Sequence, residues 1–362
     1  MTDLQTNTGN AKPRQARTAP TPLTREDLRA RIDAIARVKL AHLPTPLEHC
    51  PRLSAAIGGP EIYVKRDDLT GLAFGGNKTR QLEFLFADIQ AQGADTIVVG
   101  AYTQSNWCRQ ITAAACKRGL QVALVLLHGE KGPRRQGNLL LDHVMGADVT
   151  ITEITDLQKL PPLLEKRAAA LAAEGRKPYL INPFDLDMLA RSTLGYVNAA
   201  IELDAQLEAA GVDPAYVYVC GANMTPAGLN LGLRALGRRA KVVAITPIEW
   251  DEDRATDIAR IASAAAKLLD LDLAFSADDI VCDSGYIGER YGVVTPEGRA
   301  AFRLAARTEG LILDPVYTSK ALAGLIDHIR SGRIAKDEPV VFVHTGGNPA
   351  VFAYAEDLLG EP

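Results

Sequence analysis

The stretch Tyr63-Val-Lys-Arg-Asp-Asp-Leu-Thr-Gly-Leu-Ala-Phe-Gly-Gly-Asn-Lys-Thr-Arg80 decides how the rest of the chain is read, because it sets one lysine, Lys78, between a flexible glycine pair and a helix. Glu61 to Lys65 reads as a short strand. Beyond the lysine, Leu82, Phe84, Leu85, Phe86 and Ile89 include the i, i+3, i+7 spacing of a half-buried helix. Lys78 is therefore expected in the first helical turn. The helix dipole there disfavours a cation, lowering the amine's pKa as a nucleophilic or Schiff-base lysine needs. The rival motif is the phosphate-cradling loop G-x-x-x-x-G-K-[ST], which Gly71, Gly76, Lys78 and Thr79 nearly write. Asn77 intervenes. One inserted residue turns the lysine by about 100° on a helix of roughly 3.6 residues per turn, which argues against a nucleotide triphosphatase.

A chain of 362 residues exceeds the usual single-domain size, so two domains or one large α/β unit is expected. With 40 Lys+Arg against 44 Asp+Glu and no long basic run, nucleic acid and membrane surfaces are poor partners, and a small molecule fits better. The five cysteines, Cys50, Cys108, Cys116, Cys220 and Cys282, show no C-x-x-C spacing and are odd in number, as expected of reduced thiols in a cytoplasmic protein. The six histidines lack H-E-x-x-H spacing, so no metal is expected. No apolar run reaches the ~18 residues that span a bilayer. Residues 1–23, rich in Thr, Pro, Asn and Gln, are expected to be a disordered extension.

From Thr24, a suitable N-cap, a helix is expected to Val38, and the proline-rich His42 to Leu53 should be extended. After the Lys78 helix, strands at Asp95–Gly100, Gln121–Leu127 and Asp148–Ile154 alternate with helices at Ser105–Arg118, Arg135–Met145 and Leu157–Gly175. Runs such as Thr-Ile-Val-Val and Val-Ala-Leu-Val-Leu-Leu suit strands buried on both faces, hence a parallel sheet under helices. Tyr179–Pro183 reads as a short strand or loop. A long helix from about Met188 to Ala210 precedes a strand at Ala215–Cys220, a helix to Leu236, and strands at Lys241–Thr246 and Pro339–His344 in a second sheet.

Three further turns fall at strand ends, where open parallel sheets place ligands. In Thr103-Gln-Ser-Asn106, Ser105 can cap the next helix, whose free N–H groups suit a carboxylate; this also reads as plain capping. Gly221-Ala-Asn-Met-Thr225 offers backbone N–H groups and a hydroxyl to a phosphate, although Asn223 and Met224 stand where glycine would allow closer approach, as in an ordinary βα turn. In Val343-His-Thr-Gly-Gly-Asn-Pro349 the glycine pair lets the main chain approach something flat or anionic, beside Thr345.

Together these residues resemble the fold type II pyridoxal-phosphate enzymes, in particular the group of D-cysteine desulfhydrase, L-cysteate sulfo-lyase and 1-aminocyclopropane-1-carboxylate deaminase. The resemblance runs from about His42 to Tyr354 through Leu43-Pro-Thr-Pro-Leu47, Lys65-Arg-Asp-Asp-Leu69, Gly75-Gly-Asn-Lys-Thr-Arg80, Gln104-Ser-Asn106, Asp314-Pro-Val-Tyr317 and His344-Thr-Gly-Gly347. It implies an α/β fold of two open twisted parallel-sheet domains with covering helices: residues 24–80 and 193–362 as the large cofactor domain, 81–192 as the small one. It implies that Lys78 binds the aldehyde of pyridoxal 5'-phosphate, that Asn77 bonds the phenolic oxygen, and that Ala222, Asn223, Met224 and Thr225 hold the phosphate. Ser105 and Asn106 would receive a substrate carboxylate, with Gln104 and Trp107 beside them, and Tyr317 and Tyr291 would be the active-site tyrosines.

The deaminase branch has glutamate where this chain has Thr318. With Thr345 as the partner, the pyridine nitrogen meets a neutral hydroxyl, and the weaker electron sink suits loss of a β-substituent better than cyclopropane opening. The chain departs from the group in Gly100-Ala-Tyr-Thr-Gln-Ser-Asn-Trp-Cys-Arg109, with Trp107 where relatives commonly have histidine. The expectation is a cytoplasmic, homodimeric lyase for a small amino acid. Cyclopropane deamination and a catalytically silent ligand-binding protein are the alternatives.

Overall fold

The computed structural model describes residues 21–360. Most of the expected N-terminal extension lies outside those residues. Its last residue, Leu23, lies inside them and donates its N–H to Ala235 O at 2.8 Å.

Among the described residues ten strands form two sheets: β1 (Leu47–His49), β2 (Ile62–Lys65), β3 (Thr96–Tyr102), β4 (Gln121–Leu127), β5 (Asp148–Thr152), β6 (Pro178–Leu180), β7 (Tyr216–Cys220), β8 (Lys241–Ile245), β9 (Val281–Asp283) and β10 (Val340–Val343). One sheet runs β1-β2-β10-β7-β8-β9 and the other β5-β4-β3-β6. Only the β1–β2 pairing is antiparallel. Branched and aliphatic residues fill the central strands, and Val98, Leu126, Val217, Val219 and Val341 are wholly buried, as strands covered on both faces require.

Several expectations are corrected. Pro51–Ile57 is a helix, not extended chain. Pro51 stands at its first position, where a missing N–H costs nothing, and Gly58 closes it in the left-handed conformation. The first helix, Arg25–Asp33, ends before Val38 because the following backbone is drawn elsewhere: Val38 N–H donates to Glu83 O, and Leu40 and Ala41 N–H both donate to Glu83 Oε1. β9 carried no legible signal.

The helix Lys78–Ala91 is buried nearly all round rather than on one face. It packs on the long helix Leu186–Ala210, where Gly195 allows the approach: a Cβ there would stand 2.4 Å from Arg80 O. Beneath it lies a buried charge network. Arg80, 1% exposed, donates to Asp67 (2.8 Å) and Glu202 (2.9 Å), while Lys65 Nζ pairs with Glu202 and donates to Gln206. Thr45 and Tyr196 hydroxyls donate to Asp67 at 2.7 and 2.6 Å. Burial alone would raise the Asp67 pKa, but Arg80 first, with Lys65 and Tyr196, more than offsets it and holds the carboxyl below its usual range. The Leu43–Leu47 and Lys65–Leu69 motifs thus supply the foundation of the Lys78 helix.

Candidate active site

A cavity of about 200 Å³ lies where the C-terminal ends of both sheets meet. The segments after β3, β7, β8 and β10 reach it, together with the start of the Lys78 helix.

Lys78 opens its helix, with its amine toward the cavity. No carboxylate lies within salt-bridge distance among the described residues. Burial pushes its pKa from 10.5 down to about 8, with Cys220 opposing. The preceding glycines have a different purpose from that expected. Gly76 (φ 125°) packs on Gly346 (φ 94°), whose Cβ would stand 2.6 Å from Gly76 Cα, and Asn77 N–H donates to Thr345 O at 2.9 Å. The two glycine turns meet main chain to main chain, which fixes Lys78 beside Thr345.

Thr225, 2% exposed, begins the first turn of the helix Met224–Ala235. Its hydroxyl oxygen accepts from Asn77 Nδ2 (2.9 Å) and Gln81 Nε2 (3.0 Å). Both lone pairs are thereby used, leaving the O–H as a donor for an anion. Asn77, expected to serve a phenolic oxygen, spends this N–H on Thr225. Ala222, Asn223 and Met224 line the same wall. Gln81 went unnoticed in the sequence, although its position three residues after Lys78 places both on one helix face.

Ser105 caps the helix Asn106–Arg118, accepting from Cys108 N–H at 3.2 Å, and Ser105, Asn106 and Trp107 line the cavity. Asn138 holds Asn106 in place by donating to its Oδ1 at 2.9 Å. Gln104 faces away: its amide donates to Gln136 O and accepts from Asn138 N–H, both at 3.0 Å. That local hydrogen bonding removes it from the substrate side.

Tyr291 and Tyr317 oppose each other with hydroxyls 2.5 Å apart, and Tyr291 stacks on Tyr102 at 5.0 Å. Burial raises both phenols, so they stay protonated at neutral pH. Asp314 anchors this corner by accepting the N–H groups of Val316, Tyr317 and Thr318 at 3.0, 3.0 and 2.7 Å. Thr318 does not line the cavity, because its hydroxyl donates to Asp314 Oδ1 at 2.7 Å. Thr345 does line it. Cys220, Trp250 and Arg254 also reach the cavity without any local sequence signal.

These residues fit pyridoxal phosphate: a lowered-pKa amine for the aldehyde, a hydroxyl with only its proton to give, and helix-start N–H groups for a phosphate. The family of pyridoxal-phosphate dependent enzymes matches residues 38–346. A D-cysteine desulfhydrase of Klebsiella pneumoniae (strain 342) is 39% identical over 326 residues, covering 89% of this chain and 97% of that protein. The crystal structure of an ACC deaminase homologue is 36% identical with a TM-score of 0.82, covering 92% of this chain and 98% of that one. At 18% identity and a TM-score of 0.62, a threonine deaminase of Solanum lycopersicum shares the fold. Matched over most of its length, with a lysine, a hydroxyl and a helix start suited to the cofactor in one cavity, the chain belongs to the pyridoxal-phosphate dependent enzymes.

Proposed function

We propose that this enzyme removes a β-substituent from a small amino acid, D-cysteine or a cysteate-like compound, releasing a keto acid, ammonia and the substituent. The observation that carries the reading is the meeting in one cavity of an unpaired, lowered-pKa amine, a capped helix start and two protonated phenols. When bound, the cofactor supplies the electron sink for the Cα proton's electron pair. The free N–H groups at the start of Asn106–Arg118, with Ser105 and Asn106, hold the substrate carboxylate. Lys78, in its neutral form, would take the Cα proton as general base. The Tyr291–Tyr317 pair gives a proton to the departing group.

Thr345, which lines the cavity, would offer the pyridine nitrogen a neutral hydroxyl, and that would favour this reading over ring opening of a cyclopropane. The D-cysteine desulfhydrase relatives support the same choice. Keto acid release from D-cysteine, L-cysteate and aminocyclopropane carboxylate tests it, and turnover of the last alone overturns it. Residues 24–80 and 193–362 are proposed as the large domain and 81–192 as the small one, in keeping with the two sheets. A cytoplasmic homodimer is proposed, supported by five free cysteines and by the exposed Phe74, Val144 and Phe352. A single-chain mass in sedimentation would refute the dimer.

A further inference from the structure

Among the described residues, two cationic side chains line the cavity, Lys78 and Arg254. Lys78 is committed to the aldehyde. Arg254 opens the helix Arg254–Leu268 on the segment after β8, next to the loop that follows β7. It is only 9% exposed. Its Nε donates to Glu252 O at 3.1 Å, and its Nη1 donates to Asp257 Oδ2 at 3.0 Å and reaches Ala222 O at 3.5 Å. Nη2 is buried without a hydrogen bond, with Glu252 Oε2 3.9 Å away. The guanidinium lies 4.9 Å over the ring of Trp250, another cavity wall, which fixes its plane. A buried charged donor left unpaired is costly, so the arrangement points to an absent acceptor.

The loop Gly221–Thr225 is independently short of donors. Gly221 N–H is spent on Ile245 O at 3.1 Å, and Met224 N–H on the Asn223 side chain at 2.7 Å. Apart from Arg254, every group facing this wall is neutral: the remaining loop N–H groups and the Thr225 hydroxyl, with the Asn77 and Gln81 amides behind it. A phosphate dianion there would lack a counter-charge.

We propose that Arg254 is the missing wall of the phosphate cup, donating from Nη2 to the cofactor phosphate, a role no cation in the loop itself can fill. The inference rests on the cofactor assignment above. It is tested by titrating wild-type, Arg254→Gln and Arg254→Lys apoprotein with pyridoxal phosphate and with pyridoxal, following visible absorbance and tryptophan fluorescence. Losing a hydrogen bond to a charged group should weaken pyridoxal phosphate roughly 10- to 100-fold in Arg254→Gln. Pyridoxal affinity should be unchanged, and Arg254→Lys, which keeps the charge without the fork, should lie between and serves if the glutamine variant does not fold. Unchanged phosphate-ligand affinity, an equal loss for both ligands, or a loss confined to the KM of L-cysteate would overturn the proposal. Wild-type protein that takes up neither ligand would overturn the cofactor assignment as well.

Discussion

Lys78 is the amine proposed to carry the chemistry, and its environment sets a measurable pH profile. An amine captures an aldehyde only when neutral. With the pKa at about 8, roughly a tenth of Lys78 is neutral at pH 7 and roughly nine-tenths at pH 9, whereas an amine at 10.5 is only about 3% neutral at pH 9. Because burial depresses the pKa, reactivity is lost as pH falls through 8 and reaches a plateau above it. Apoprotein mixed briefly with pyridoxal phosphate, quenched with borohydride and mapped by peptide should show labelling of Lys78 that rises about tenfold from pH 7 to pH 9 and then levels. Surface lysines in the same digest should still be climbing steeply at pH 9.

Two other buried lysines guard against a false positive. Burial also lowers the pKa of Lys65 and Lys320, but Lys65 Nζ is held by Glu202, Gln206 and Thr45 O, and Lys320 Nζ donates to Ile287 O at 2.6 Å. Neither lines the cavity. Label on either, or labelling of Lys78 that keeps rising in parallel with surface lysines, would refute the reasoning.

Thr225→Ala removes a hydroxyl whose acceptor sites are already filled, so cofactor dissociation should increase by roughly 10- to 100-fold while turnover at saturating cofactor changes little; equal affinity would place the phosphate elsewhere. Tyr317→Phe should lower kcat by about 10²-fold or more with a modest change in KM, the range for a lost proton donor, and adding Tyr291→Phe should cost much less than a second such factor because the phenols act as one hydrogen-bonded pair. Steady-state kinetics of the two singles and the double variant decide this, and multiplicative losses would refute the shared role. Arg80→Met should destabilise the fold by about 3–5 kcal/mol in urea denaturation, since it strips the main partner from buried Asp67; a loss under 1 kcal/mol would show that Tyr196 and Thr45 suffice.

What the sequence made legible follows the range of the interactions involved. Continuous apolar runs made the βα rhythm legible because burial on both faces is written into contiguous residues, and Ser105 announced its helix because capping acts over three residues. The residues at the site that escaped notice are held by contacts distant along the chain: Gln81, behind the cavity wall, meets Thr225 across 144 residues and Arg254 meets Ala222 across 32. Local rules also misled where tertiary contact changed their meaning. Pro51 reads as a breaker until it starts a helix, Gln104 sits in the substrate motif but turns to Gln136, and Thr318 follows Tyr317 yet spends its hydroxyl on Asp314.

Two of the motifs that carry the resemblance, Leu43–Leu47 and Lys65–Leu69, hold no reacting group, and the packing around Lys78 explains why they matter. The turn before it holds Ala73 and Phe74 at φ 42° and 70°, a conformation costing roughly 1–2 kcal/mol per residue. Arg109, wholly buried on the neighbouring helix, donates to Ala73 O and, at 3.1 Å, to Gly75 O. Hydrogen bonds from a charged donor, worth roughly 1.5–3 kcal/mol each, are of a size to offset that strain. On the other side Arg80 fixes the helix to Asp67 and Glu202. Two buried guanidiniums thus satisfy the surrounding carbonyls and carboxylates, leaving the one amine between them without a counter-ion. A lysine whose pKa is lowered by burial needs the neighbouring charges paired with one another, so Lys65, Asp67, Arg80 and Glu202 would serve the proposed reaction by keeping their anions from Lys78.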